Sequence, residues 1–523
     1  MTNWTRRNFL STGAMLGAST VVATSLMGCD TKKEKPAAAE QHSAEPKQGG
    51  IIRFGVMNGN QAGNLDAHKP IGNSSAFRGW ALYAKLWEWG RDIQPKLALA
   101  EFAEPNADGT LWTIRLKKGL EFHHGKTISA DDVIFSLRRL TDPKLASPYA
   151  AYLYSLQRDA IKKRDTYTFD IPFQAGRGLV ALPEAWMSWG GIVPTDYDPL
   201  KPVGAGPYKL KSFTPGQRST FTRFENYWKP GQPYADEIEI IDFKDQTGRL
   251  AALQAGQIDI ATGITPELLP LVQANPKLTV VSSETDAWQS FDFNTQKAPF
   301  NDVRVRQAFR LIADRDELVK RALLGQGRVA NDLYSFSDPT FNHQIAQRKQ
   351  DVAQARALLK QAGFDNNLTV ELVTGPDSNT ALVFAQQAVK AGVTVKVKQV
   401  DAATFATAIK QDWPFSTGGS VSRPFLLTSL QIDGPDAANN KTHFSDAKFT
   451  QLVRAALQQA DLEKRKVLVH QAQQIQHERG SLLIWGYNNV LDAVSKNIGG
   501  VTPDRTGFAG WRTDSVWRKD GSV

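Results

Sequence analysis

Apolar and polar positions alternate along this chain in short stretches of mixed period. Ile51-Ile52-Arg53-Phe54-Gly55-Val56 is an apolar run ended by Asn58 and Gly59, which predicts a first strand. Thr279-Val280-Val281 and Leu368-Thr369-Val370-Glu371-Leu372-Val373 predict further strands. Helical spacing intervenes. Ser129-Ala130-Asp131-Asp132 is a capping signal, and Val133, Leu137 and Leu140 fall at i, i+4 and i+7, giving an inward face that Asp142-Pro143 ends. Asp302 opens a second helix by the same capping chemistry, and Ala355, Leu358, Leu359 and Ala362 with Gly363 behind them predict a third. Strands and helices interleave without a long run of either, so the expected fold class is α/β with mixed α+β lobes.

The two ends of the first fifty residues do not share that pattern. Arg6 and Arg7 precede an Ala-, Gly-, Ser- and Thr-rich apolar stretch that closes on Leu26-Met27-Gly28-Cys29, the layout of an export signal. The paired arginines before Phe9-Leu10 resemble a twin-arginine signal, and Leu-x-Gly-Cys resembles a lipobox, which would make Cys29 the lipid anchor. Asp30 to about Gly50 is rich in Lys, Glu, Ala, Gln and Pro, has almost no large apolar side chain, and reads as a flexible tether. No later segment has 18 consecutive apolar residues, so a soluble body tethered by lipid in the periplasm or cell envelope is expected.

Composition narrows the function. With 523 residues, 41% hydrophobic, the chain can bury the core of two or three lobes. The formal charge is +9, and removing Arg6 and Arg7 with the signal leaves 9 − 2 = +7, spread without a basic stripe, so no nucleic-acid partner is expected. Cys29 is the only cysteine, which excludes an intramolecular disulfide and a cysteine-based zinc cluster. G-x-S-x-G, H-E-x-x-H, the P-loop and a helix-opening G-x-G-x-x-G are all missing. The adjacent His123 and His124 are read as a strand running into a turn, pointing to opposite faces, and His470 and His477 are seven apart on a helix. Neither pair has metal-ligand spacing, so no metal and no cofactor is expected. Thirteen tryptophans, several beside Asn, Gly or Ser, suit either core packing or the walls of a small-solute site.

Several stretches resemble one family. Leu116-Lys117-Lys118-Gly119-Leu120-Glu121-Phe122-His123-His124-Gly125-Lys126 running into Ser129–Leu137, Val203-Gly204-Ala205-Gly206-Pro207-Tyr208 with Asn226-Tyr227-Trp228, Ala252–Asp259, and Asn294–Ala308 are similar to the peptide, nickel and opine group of ABC-importer solute-binding proteins. Gly204 and Gly206 are expected to supply unusual dihedrals. The resemblance implies a two-lobed periplasmic-binding-protein fold with an extra third domain. Domain I would take 51–82, 200–286 and 497–523, domain II 83–199 and domain III 287–496. It implies a monomer that is not an enzyme, closes on a small polar solute (peptide-like, opine-like or an acidic conjugate) and presents it to a membrane permease. A metal-complex or haem receptor of the same fold, and a secreted hydrolase, are the alternatives.

In peptide-binding members a late aspartate holds the ligand's free amine. The matching stretch here, Gly418-Gly419-Ser420-Val421-Ser422-Arg423-Pro424, has no carboxylate. An ordinary dipeptide is therefore not the expected ligand, and a guanidinium at Arg423, if it faces the cleft, would instead take a carboxylate, a phosphate or an acidic sugar conjugate through paired hydrogen bonds. Gly419, Ser420 and Ser422 are the expected polar neighbours, Trp288 the expected cleft ring, and Asn58, Asn60, Trp413 and Tyr487 further candidates.

Overall fold

A computed structural model describes residues 45–521 apart from 59–60, 154, 176–177, 179–182, 184–189, 366, 402–403, 406, 408–411, 435–436 and 438. The expected signal, Cys29 and most of the tether lie outside the described residues. The body is α/β. Its main sheet has 11 strands, and ten of them run Val393–Gln399, Leu368–Thr374, Phe415–Ser420, Leu278–Phe293, Leu482–Ser495, Ile260–Ala261, Ile51–Met57, Glu237–Phe243, Arg218–Arg223 and Tyr208–Thr214, with Gly327–Val329 added on Leu482–Ser495. A second sheet of four strands is built from Ala100–Pro105, Leu111–Leu116, Thr168–Pro172 and Lys162–Lys163.

The predicted elements form where their patterns place them. The first strand occupies Ile51–Met57 and pairs in parallel with Glu237–Phe243. The helix after Ser129 runs Ala130–Leu140, and the Asp132 carboxylate accepts both the Ser129 N–H (3.0 Å) and its hydroxyl (2.9 Å), which fixes the first turn. Asp302 caps Val303–Ile312 by accepting the Arg304 N–H, and Asp351 caps Val352–Gln361 the same way for Gln354. Gly363 follows at φ +92°, where a side chain would be strained. Gly204 and Gly206 differ from expectation: neither has a positive φ. Close approach demands glycine there, since a Cβ would lie 1.9 Å from the Leu82 carbonyl oxygen at Gly204 and 2.4 Å from that of Ala81 at Gly206.

Two long strands carry the chain from one half of the main sheet to the other. Leu278–Phe293 has 16 residues and Leu482–Ser495 has 14, and they pair antiparallel. Their register runs from Leu278↔Ser495 to Glu284↔Asn489, shifts, and resumes at Trp288↔Tyr487. Ala493–Val494 of the second strand pair with Ile260–Ala261, which pairs in turn with the Ile51–Met57 strand, and Trp288–Phe293 of the first strand pair with Phe415–Ser420. The break at 285–287 is therefore a bend, and a second register shift follows between Gln289 and Ser290.

The core is correspondingly divided. Phe54, Phe77, Tyr208 and Ile240 gather on one side, Phe291, Phe293, Phe309 and Trp485 on another, and Trp87, Trp112, Leu137 and Phe169 around the four-stranded sheet. Leu427, from the Phe425–Ile432 helix, is buried in that last cluster and joins segments far apart in sequence.

Candidate functional site

The strand register builds the site. Antiparallel pairing sets Trp288 opposite Ser420, Gln289 opposite Gly419 and Ser290 opposite Gly418, while Tyr487 faces Trp288 from the other neighbour. Ser420, Trp288 and Tyr487 thus form one row across three strands, from positions separated by up to 199 residues in sequence. Trp288 is 2% exposed and stacks on Tyr334 (6.2 Å), which stacks on Phe425 (5.2 Å). Its indole N–H is buried without a protein acceptor. The Tyr487 hydroxyl is buried too and donates to the Leu333 carbonyl (2.6 Å). Both rings form the firm backing of the Ser420 edge.

Beyond Ser420 the chain leaves the sheet. The Ser422 hydroxyl accepts the Asp286 N–H (2.7 Å), so the bend at 285–287 and this loop hold each other. Arg423 is pinned through its carbonyl, which accepts from Ser335 Oγ (2.6 Å), while its guanidinium donates to Gln431. The next helix starts on the Phe425 N–H, accepted by Asp338 (2.8 Å). Arg423 and Arg465 line a cavity of about 200 Å³ together with Asp286, Asp338 and Leu426, and Ile93, Gln94 and Pro95 close it from the far side. Asp286 is held by Arg328 (2.6 Å) and by the Ser337 hydroxyl (3.0 Å), and Asp338 by Thr340 as well as Phe425. Burial lowers the pKa of Arg465 from its usual range, with Asp338 and Asp461 acting against that.

On the other flank of the same strand lies a cavity of about 390 Å³ lined by Gln289, Thr374, Phe405, Thr417, the Gly418-Gly419 pair and Lys441. Lys441 donates to buried Asp292 (2.7 Å), whose other oxygen accepts from Ser290 Oγ (2.5 Å). The glycines are required. A Cβ on Gly418 would lie 2.1 Å from an Asp292 carboxylate oxygen, and one on Gly419 2.5 Å from the Trp288 carbonyl oxygen.

The other expected residues lie elsewhere. Asn58 sits at the end of the first strand, where its amide donates to the Gln61 carbonyl (2.6 Å) and its buried oxygen has no protein donor. Asn60 is outside the described residues. Trp413 stacks on Phe405 (6.1 Å), next to the larger cavity. Asp286, Asp338, Arg465, Asp292 and Lys441 are site residues that sequence reasoning missed.

Among the described residues no group of three or more His, Cys, Asp or Glu could hold a metal ion, and no helix is long and apolar enough to cross a membrane. His123 lies in a turn, its Nε2 3.0 Å from the Gly206 carbonyl, and burial pushes it down to about 4. Burial, with Arg348 beside it, does the same to His477. The ionisable side chains at the two cavities are largely committed to protein partners.

Residues 93–426 match the family described as bacterial extracellular solute-binding proteins, family 5, middle region. The chain is 27% identical over 446 residues to di/tripeptide-binding protein 2 of Pseudomonas aeruginosa, covering 77% of this chain and 83% of that one. It is 26% identical over 456 residues to the glutathione-binding protein GsiB of Shigella flexneri, covering 82% and 88%. The solved structure of AgaA from A. tumefaciens R10 in complex with agropinic acid superposes with a TM-score of 0.74 at 26% identity, over 90% of this chain and 99% of that one. The matched segment ends within the loop and helix start that carry Arg423, Pro424 and Phe425, so fold, site and sequence point the same way: the chain belongs to the family 5 bacterial extracellular solute-binding proteins.

Proposed function

We propose that this protein is the receptor of an ABC importer for a small polar solute bearing a carboxylate, which it clamps between the Ile93–Pro95 side and the Ser420–Leu426 side and delivers unchanged to a membrane permease. One observation carries the ligand class: two guanidinium groups, Arg423 and Arg465, line the cavity between these two sides, while its carboxylates Asp286 and Asp338 are already engaged by Arg328, Thr340 and backbone N–H groups. Ser420, Ser422 and Gly419 would supply neighbouring polar contacts, whereas Asn58, held to Gln61, is not among the residues lining either cavity, and Asn60 is outside the described residues. Trp288 and Tyr487 would act from behind as packing, and Trp413 as the support of Phe405. The three-domain division at 51–82, 200–286 and 497–523, at 83–199 and at 287–496 belongs to this reading. So do a monomeric state, which follows only from the family resemblance, and twin-arginine export and lipidation of Cys29, for which the sequence of the first 29 residues is the support.

The relatives include receptors whose names specify di/tripeptides and glutathione, and a structure with agropinic acid, ligands that all carry a carboxylate. Native mass spectrometry of gently purified protein tests the proposal. A stoichiometric adduct that fragments as a carboxylic acid is expected. A carboxylate-free adduct, a metal complex, or hydrolysis products of an added peptide would overturn it.

A further inference from the structure

The helix Phe425–Ile432 has Arg423, Pro424 and Leu426 on the smaller cavity at one end and a buried carboxylate, Asp433, at the other. Asp433 Oδ1 accepts from the Tyr334 hydroxyl (2.8 Å) and Oδ2 from Gln476 Nε2 (2.5 Å). The residue after Tyr334 leads back to the cavity, since Ser335 Oγ donates to the Arg423 carbonyl (2.6 Å). Arg423, the helix, Asp433, Tyr334 and Ser335 therefore close a ring of covalent and hydrogen-bonded links, and the Tyr334 side chain stacks on Phe425 within it (5.2 Å).

No cation among the described residues balances Asp433. Both of its partners are neutral donors, and Phe425–Ile432 has no ionisable side chain. On the Leu462–Arg479 helix the ionisable residues after Gln476, namely His477, Glu478 and Arg479, bond to Arg348, Gln474 and Asp446. Asp332, two residues before Tyr334, is taken by Arg315 and Arg348. Tyr334 is thus the only titratable group among the described residues that acts on Asp433. An ionised carboxylate here is desolvated without a counter-charge and sits at the negative end of the helix. A proton relieves both, and an acceptor for it is at hand. Gln476 Oε1 is buried without a donor, and with the amide turned over it lies where Nε2 now donates.

We propose that Asp433 is a positioning residue worked by a proton: with its carboxyl protonated the ring holds Arg423 and Leu426 firmly at the smaller cavity, and with it ionised the helix end and that wall loosen. Mildly acidic surroundings would then favour capture. That consequence rests on the smaller cavity being the solute site, whereas the ring can be tested with no solute present, so the two readings fail separately. Burial pushes Asp433 up to about 7 from 3.8, so opening the ring to water costs more as pH falls from about 7 toward 4.

Hydrogen–deuterium exchange of the solute-free wild-type protein tests the proposal. Corrected for intrinsic rates, the amides of Phe425–Asp433 should exchange on the order of tenfold more slowly at about pH 5.5 than at about pH 7.5. Asp433→Asn should remove that dependence. Tyr334→Phe, which takes a donor from the ionised carboxylate, should move its midpoint to higher pH. Equal protection of the wild type at both pH values, the same dependence in Asp433→Asn, or an unmoved midpoint in Tyr334→Phe would overturn the assignment. If Asp433→Asn fails to fold, the wild-type profile and the Tyr334→Phe midpoint still decide.

Discussion

Replacing Arg423 by glutamine removes one charge and the planar fork while keeping a side-chain amide that can still reach Gln431. The backbone anchor of this residue, its carbonyl on Ser335, is untouched, so the loop should hold its course and stability should change by less than about 1 kcal/mol. Binding should change far more. A charge-assisted hydrogen bond contributes about 1.5–3 kcal/mol net, and a bidentate guanidinium–carboxylate contact in a partly enclosed cavity belongs near the upper end. Desolvation of Arg423 and the guest offsets part of this, leaving about 2–3 kcal/mol, or a 30- to 150-fold rise in Kd. Titration calorimetry with the solute identified by mass spectrometry measures it, and the amide of that solute's carboxylic acid completes a cycle. Wild type should lose affinity for the amide by a similar factor, while the variant should barely distinguish acid from amide. Binding by the variant within threefold of wild type, or equal discrimination by both proteins, would refute the assignment.

Other perturbations test the frame around the site. Asp332 is fully buried and receives Arg315 (2.8 Å), Arg348 and, at 3.9 Å, Arg310, so Asp332→Asn should destabilise by about 3–5 kcal/mol in denaturant melts, because three guanidinium groups lose their counter-charge. Asp433 lies behind the site, and burial pushes it up to about 7 although Tyr334 (2.8 Å) and Gln476 (2.5 Å) donate to it. Its folded value is raised above 3.8, so stability is full below about pH 4, falls as pH rises toward 7 and is level above that. Relative to wild type, Asp433→Asn should gain up to about 4 kcal/mol across that window, read from melts at a series of pH values. Gly418→Ala should displace Asp292 and its Lys441 partner, cost about 1–3 kcal/mol in the same assay, and alter affinity if the larger cavity touches the solute.

Local chemistry was readable from the sequence, and distant pairing was not. The Ser129 and Asp302 caps need only residues three or fewer positions away, and both helices start where those residues predict. The strand at Thr279–Val281 was seen but not its 16-residue length, because Glu284, Thr285 and Asp286 look like a polar end. Glu284 is instead still paired with Asn489, and Thr285 and Asp286 belong to the break after which the strand resumes its pairing at Trp288. That hidden continuity explains why Asp286 was missed: its place beside Ser422 and Arg328 follows from tertiary register. Lys441 lacked any local signal for the same reason, since Asp292, its partner, lies 149 residues earlier on a strand whose neighbours only the fold decides. Arg423 drew attention because a departure from a family pattern is visible in the sequence itself, and it lines the smaller cavity.

The claim that two sides of one body close around a guest is tested most directly by double electron–electron resonance. With Cys29 replaced by serine, spin labels on Lys96→Cys and Glu463→Cys would report from exposed positions on either side of the smaller cavity. Adding the co-purified solute should shorten and narrow the distance distribution, and the solute recovered afterwards should have its original mass. An unchanged distribution at saturating solute, or recovery of a chemically altered product, would contradict the account.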